Sequence, residues 1–349
     1  MEWRGLNNLS TVSEPISIAM FYWKGCEILG KYIIKRIILV PIMVVLTTFV
    51  IFSLVNMTDN DPALLMLPDT YTQEQLDDMH EQLGLDKPFL VRYVNWLADA
   101  VQGDFGISYS QKIPVSQVIG SKIPISLKLA FYATLLIIIL GVPIGIMCAV
   151  KQYRAFDSIM NILSKFLSAF PEFWLAMMLM LVFAFKLKIL PSYGMKNGIA
   201  SWILPVVALA LPNLGGYVRQ TRSSMLDCIR QDYIRTARAK GAKEGAVIYK
   251  EALKNASLPI ITSTGIRFAS LLGSATVVES CFSLPGLGST LIDAIAVKDI
   301  NLTMAGCAIL AAVYIAVMLV VDILYAIVDP RIKSMYVKAS SKKKTVKGV

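Results

Sequence analysis

The residues best placed to do chemistry in this chain are single charges set inside long uncharged runs. Arg267 is the only charge between Asn255 and Val278, and Glu172 is the only one between Phe166 and Phe185. An ionisable side chain in a run long enough to cross hydrocarbon marks a substrate or ion path, or a buried pair between helices. Arg267 lies eight residues past Pro259, about 12 Å into its run at 1.5 Å per residue, near a bilayer midplane. We expect Arg267 and Glu172 to face a translocation path, or to pair with each other or with another subunit. A guanidinium there suits a carboxylate, and a purely structural pair stays equally open. Asp322, seven residues before Asp329 on one helical face, is read as structural.

Other chemistry is thin. His80 is the single histidine and is read as a surface residue. Cys26, Cys148, Cys228, Cys281 and Cys307 are scattered with no CxxC pair, which argues against disulfides and metal ligands. No GxxxxGK[ST] run exists to cradle phosphates, so the chain is not expected to hydrolyse ATP, nor to hold a metal or cofactor of its own.

The elements that position Arg267 and Glu172 are membrane spans. Of 349 residues, 56% are hydrophobic and only 17% charged, with a mean hydropathy of +0.60. The charges fall between the runs Ile37–Asn56, Leu129–Val150, Phe166–Phe185, Asn197–Val218, Asn255–Val278 and Leu302–Val321. Each matches the roughly 20 residues that cross about 30 Å of hydrocarbon. The expectation is an all-α integral membrane protein with six spans at 33–56, 124–150, 157–187, 201–219, 255–279 and 302–328.

Lys and Arg set the orientation. With the N-terminus inside, the inner segments hold 24 basic residues and the outer ones 9, so both termini are expected in the cytoplasm. The net charge of +10 is therefore an orientation signal and not a nucleic-acid footprint. An N-terminal extension (1–32) and a basic tail (329–349) flank the spans. Ile16–Trp23 could lie along the membrane surface or belong to a disordered tail.

Two segments outside the spans matter. The outer loop 57–123 is acidic, and Gln73–Leu83 and Val91–Val101 have helical spacing, with Leu76, Met79 and Leu83, then Val94, Leu97 and Val101, on their apolar faces. It either contacts an external partner or caps the helix ends. A shorter loop covers 280–301. The cytoplasmic stretch 220–254 reads as helix, Gly turn, helix. Leu226, Ile229, Tyr233 and Ala237 line one face, Lys240-Gly241 forms the stop, and Ala246, Tyr249 and Leu253 line the second helix.

The run Asp232-Tyr233-Ile234-Arg235-Thr236-Ala237-Arg238-Ala239-Lys240-Gly241, followed by Asn255-Ala256-Ser257-Leu258-Pro259, resembles the cytoplasmic "EAA" loop of ABC-importer membrane subunits, in the oligopeptide/dipeptide/nickel branch. Further blocks occur in family order: Asn60-Asp61-Pro62-Ala63, Leu83-Gly84-Leu85-Asp86-Lys87-Pro88, Gly103-Asp104-Phe105-Gly106, Pro171-Glu172-Phe173-Trp174-Leu175, Phe282-Ser283-Leu284-Pro285-Gly286-Leu287-Gly288 and Asp329-Pro330-Arg331. The resemblance covers about residues 31–333. Arg267 departs from it, since neutral polar or small residues are usual there.

The resemblance implies a type I importer permease fold in the bacterial cytoplasmic membrane. It implies a second, similar permease subunit, two ABC ATPase subunits that bind ATP and Mg, and an extracytoplasmic substrate-binding protein. Arg235, Thr236, Ala237, Arg238, Lys240, Gly241, Ala242 and Lys243 would form a coupling hairpin seated in a groove of one ATPase, with Ala237, Gly241 and Ala242 as its small-residue surface. The cargo implied is a peptide, with nickel or a metal chelate as the alternative within the same machine. A membrane scaffold without transport is the alternative of another class, and a coupling loop argues against it.

Overall fold

The computed structural model describes residues 37–57, 61, 63–68 and 70–328. The N-terminal extension, residues 33–36 of the first expected span, Asn60, Pro62, Cys26 and the basic tail with Asp329-Pro330-Arg331 lie outside them. The side chain of Asp322 lies outside them too.

Among the described residues the architecture is helical throughout, and five helices are long and apolar enough to cross a membrane. They are α1 (Ile37–Asn56), α5 (Val115–Val150), α8 (Ala200–Ile229), the continuous rod through α11 (Glu244–Cys281) and α13 (Ile300–Val328). Helices α2 (Ala63–Met66), α3 (Gln73–Leu83) and α4 (Phe89–Val101) follow α1. Helices α6 (Ala155–Leu167) and α7 (Glu172–Leu179, running on as a π-helical turn Met180–Lys186) lie between α5 and α8. The hairpin consists of α9 (Asp232–Ala239) and α10 (Glu244–Ala246), which a π-helical turn Val247–Ala252 joins to α11 (Leu253–Cys281). A short α12 (Leu287–Ala296) precedes α13.

The third expected span, 157–187, is not one straight helix. The α6 and α7 segments are bent by 97° across Ser168–Pro171. Pro171 causes the break, because it has no N–H to donate and it holds the residue before it away from helical geometry. Counted as one broken span, the pair brings the total to six. Two other elements extend beyond their uncharged runs. Helix α5 starts at Val115, nine residues before the expected 124, because Val115, Val118 and Ile119 bury against Leu287, Leu291 and Leu302. Helix α8 runs on past Val218 to Ile229, with Thr221, Ser224 and Met225 buried.

Small residues set the helix crossings. A Cβ on Gly141 would lie 2.6 Å from the Tyr217 ring, and one on Gly145 would lie 2.6 Å from Thr221 Cβ. The two glycines are four apart on α5 and meet two residues four apart on α8, a GxxxG contact of the kind that lets membrane helices approach closely. Gly215 does the same for α8 against Ser164 of α6.

The apolar face of α4 differs from the one its sequence spacing suggests. Tyr93 is buried and Trp96 and Leu97 are half-buried, while Val94 and Val101 are exposed. The aromatic residues decide this. Tyr93 packs edge-on against Phe49 at 5.2 Å, its hydroxyl donates to Val45 O at 2.8 Å, and Thr48 Oγ1 lies 2.9 Å from it. Burying a large ring with its hydroxyl satisfied outweighs burying two valines. On α3, Leu76, Met79 and Leu83 do share a half-buried face. Thr72 and Gln75 close a capping box at its start.

Candidate functional site

Two places bring together the residues singled out by the sequence. The first is the hairpin. Helix α9 ends in a Schellman turn: Gly241 N donates to Arg238 O at 2.9 Å and Ala242 N to Ala237 O at 3.2 Å. Gly241 has φ +79°, the left-handed conformation that glycine adopts without strain. Arg238 straddles the turn and grips Glu244 with both ends of its guanidinium, Nε–Oε2 at 3.1 Å and Nη2–Oε1 at 2.7 Å. Glu244 holds the Arg238 pKa above its ordinary value. Arg235 pairs with Asp232 at 3.3 Å, and Thr236 Oγ1 donates to Asp232 O at 3.0 Å. Arg235, Thr236, Arg238, Lys240, Gly241, Ala242 and Lys243 are all exposed.

The hairpin's inner face corrects the expected one. Ile234 is fully buried and Ala237 half-buried against the bundle, whereas Tyr233 is exposed. The expected stripe Leu226, Ile229, Tyr233, Ala237 presumed one continuous helix, but the chain breaks at Arg230-Gln231 and restarts, which rotates the face. Ala237 therefore packs inward and is not part of the exposed small-residue surface. On the second limb Val247, Ile248 and Ala252 are buried while Tyr249 is exposed. The π-helical turn adds a residue to the turn and shifts the stripe away from Ala246 and Tyr249.

The second place is the seam between α8 and α11. Glu172 opens α7 directly after the Pro171 break, where the positive end of a helix favours a carboxylate. Asn213 of α8 donates Nδ2 to Glu172 Oε1 at 2.9 Å. Glu172 thus ties the start of α7 to α8. Arg267 is the middle residue of α11, and its guanidinium carbon lies 5.8 Å from the centre of the Tyr217 ring. Tyr217 OH is held 2.7 Å from Thr264 Oγ1. Among the described residues no ion pair joins Arg267 to Glu172. Each has its own partners on the same seam.

Several organising residues went unrecognised in the sequence. Asp157 and Arg222 form a buried two-pronged pair between α6 and α8, at 2.6 and 2.7 Å. Glu279 is fully buried and accepts from Ser289 N at 3.1 Å, closing the start of α12. Gly286 makes room for it, since a Cβ there would lie 2.2 Å from the carboxyl carbon. Asp299, also fully buried, accepts from Ser108 Oγ at 2.5 Å, Ser110 Oγ at 2.8 Å and Ser110 N at 3.0 Å, and it caps α13 through Leu302 N at 3.1 Å. Beside this hub a cavity of about 650 Å³ opens between α4, the 104–107 turn and the start of α13. Arg92, Trp96, Asp99 and Tyr109 are on its wall. His80 is half-buried, with Nε2 2.8 Å from Asp61 Oδ2. Among the described residues no three His, Cys, Asp or Glu side chains are grouped as metal ligands. The signals for Asp157 and Asp299 are faint, because an acid four residues before Asn161 or one residue before a helix reads as an ordinary surface group.

A broken span and a capped helical hairpin on a bundle joined by small residues define a multi-pass membrane protein. Residues 141–334 match the family described as binding-protein-dependent transport system inner membrane component, and residues 29–130 match that family's N-terminal domain. The chain belongs to this family: it is the membrane-embedded permease subunit of an ABC importer, a multi-pass transport component of the cytoplasmic membrane and not an enzyme. It is 37% identical to an oligopeptide transport system permease protein of Bacillus subtilis, over 87% of this chain and 100% of the relative. It is 34% identical to a dipeptide transport system permease protein of Alkalihalophilus pseudofirmus, over 86% and 99%. It is 35% identical to a glutathione transport system permease protein of Escherichia coli K12, over 87% and 99%. An inward-facing structure of the MetNI methionine ABC transporter is similar at a TM-score of 0.49 and 18% identity, over 61% of this chain and 97% of that one.

Proposed function

We propose that this chain is one permease half of a peptide importer. It lines the path together with a second, similar permease, rests on two ABC ATPase subunits that bind ATP and Mg, and receives cargo from an extracytoplasmic binding protein. One observation carries the cargo reading: relatives named for oligopeptide, dipeptide and glutathione transport align with this chain over nearly their whole length. The hairpin end, which carries the larger share of Lys and Arg, faces the cytoplasm in this reading, as do both termini.

The exposed residues Arg235, Thr236, Arg238, Lys240, Gly241, Ala242 and Lys243 contact an ATPase, and Ala237 supports them from beneath. The Arg238–Glu244 clasp and the Schellman turn stiffen the hairpin. Because α9 follows α8 directly and the second limb runs into α11, a push on the hairpin moves both walls of the seam. Helices act here as rigid levers, and the result is a rocking of the bundle between two states. Glu172 of α7 and Arg267 of α11, both set against α8, lie along the path.

Uptake of labelled di- and tripeptides and of nickel, in cells with and without this chain, tests the reading. A peptide defect with normal nickel uptake is expected. Normal peptide uptake with a nickel defect overturns the cargo assignment.

A further inference from the structure

Arg267 has a companion. Nε of Arg267 and Nη1 of Arg219 are both shielded from solvent without a hydrogen-bond partner. The two cations come from facing helices, α11 and α8, and Arg219 stands three residues past Gly216, the residue that the Arg267 head group lies against. No ion pair among the described residues engages either of them. A guanidinium nitrogen shut off from water without an acceptor calls for an anionic partner. The surroundings are shaped for the Arg267 head group. Gly216 lets it lie against the α8 backbone, since a Cβ there would be 2.8 Å from Arg267 Nη2. Tyr217, anchored by Thr264, offers its ring face.

The opposite charge sits further along the same seam. Glu172 is held by Asn213, three residues before Gly216 on α8. The anchor of the acid and the seat of the Arg267 head group are thus offset by about 5 Å along α8, with Arg219 a further turn on. An extended peptide spans at most about 3.5 Å per residue, so a chain of two or three residues bridges the gap.

We propose that the α8–α11 seam is a binding station for a short zwitterionic peptide, with its C-terminal carboxylate on Arg267 and Arg219 and its amino group on Glu172. The station rests on the peptide-import reading and adds to it a polarity and a length. A planar guanidinium pair suits a carboxylate, and the acid at the Pro171 break suits an ammonium. The peptide lies with its amino end toward the α12 side and its carboxylate toward the hairpin.

The test uses the complete transporter in vesicles and compares a free tripeptide with its C-amidated and N-acetylated analogues. The readout is the ratio of free to blocked uptake in each variant, divided by the same ratio in wild type, so selection by the binding protein cancels. The R219Q/R267Q double variant is expected to lower the free-to-amidated ratio about tenfold while leaving the free-to-acetylated ratio near its wild-type value. Glu172→Gln is expected to do the reverse, and Arg267→Lys to keep most of the preference. If the double variant does not assemble, Arg267→Gln alone, checked by co-purification of the subunits, gives the same reading at smaller size. Unchanged ratios in assembled complexes overturn the station. So does an equal loss for free and amidated peptides, which instead places a lipid phosphate or a partner acid on the arginines. A wild-type complex that imports none of the three peptides removes the cargo reading, and the station with it.

Discussion

Asp157 and Arg222 hold the first half of the broken span to the helix that leads into the hairpin. Arg222 Nε and Nη2 meet the two carboxylate oxygens of Asp157 at 2.6 and 2.7 Å, and the Asp157 side chain is 3% exposed. Tyr153 N and Asn161 Nδ2 donate to the same carboxylate at 2.9 and 2.8 Å. Further along α8, Asn213 holds Glu172 at the start of the second half. The broken span is therefore fixed to α8 on both sides of its 97° bend.

Removing one member of that pair strands a buried charge. Asp157→Asn and Arg222→Gln are each expected to lower the unfolding free energy by about 3–5 kcal/mol. A D157L/R222M double variant is expected to lose less than either single change. Thermal unfolding of the purified complex in detergent checks this. Additive losses in the double variant would show that the two side chains act separately.

The α5–α8 crossing is set by Gly145, where a side chain would start 2.6 Å from Thr221 Cβ. Gly145→Leu is expected to destabilise the bundle by at least about 2 kcal/mol through overpacking and to lower the yield of assembled protein. Gly120, on the same helix with nothing within 4 Å of its would-be Cβ, is the control. Gly120→Ala is expected to be neutral or to stabilise by up to about 1 kcal/mol. Fluorescence-detected size exclusion after heating ranks the two.

At the hairpin, Gly241→Ala puts a side chain on φ +79° and strains the turn by about 1–2 kcal/mol. Most of that strain falls on the segment assigned to ATPase contact. Transport per ATP hydrolysed is therefore expected to drop, with little change in the melting temperature of the membrane bundle. An unchanged coupling ratio would separate the turn from energy transfer.

Alkaline pH probes the hub at the other end. Burial first, and then the charge of Asp299, push the Tyr109 hydroxyl from its ordinary value near 10 up to about 12. The folded state thus holds this proton more tightly than the unfolded state. The stabilisation is complete below about pH 10 and is lost as pH rises through 12. Tyr109→Phe has no such proton to lose. Its unfolding curve is expected to be flatter by on the order of 2 kcal/mol between pH 10 and 12, read as melting temperature against pH. A parallel decline in both proteins would place the alkaline sensitivity elsewhere.

The sequence alone determined the class of the protein. Hydrocarbon tolerates so few charges that the uncharged runs mark the membrane helices, and the ordered motif blocks from Asn60 to Arg331 mark the family. It also picked out Arg267 and Glu172, because a charge is conspicuous in an apolar run, and it placed the Gly241 turn, because glycine is suited to that backbone. Tertiary structure decided what touches what. It bent 157–187 at Pro171, gave Glu172 to Asn213 and Arg267 to Tyr217, and turned Ile234 inward in place of Tyr233. It also brought Asp157 to Arg222 across 65 positions. Helical periodicity specifies a stripe along one helix only, and within a stripe several apolar residues compete for burial. Which of them is buried depends on the shape of the neighbouring helix, and that neighbour is fixed only when the glycines of α5 meet α8.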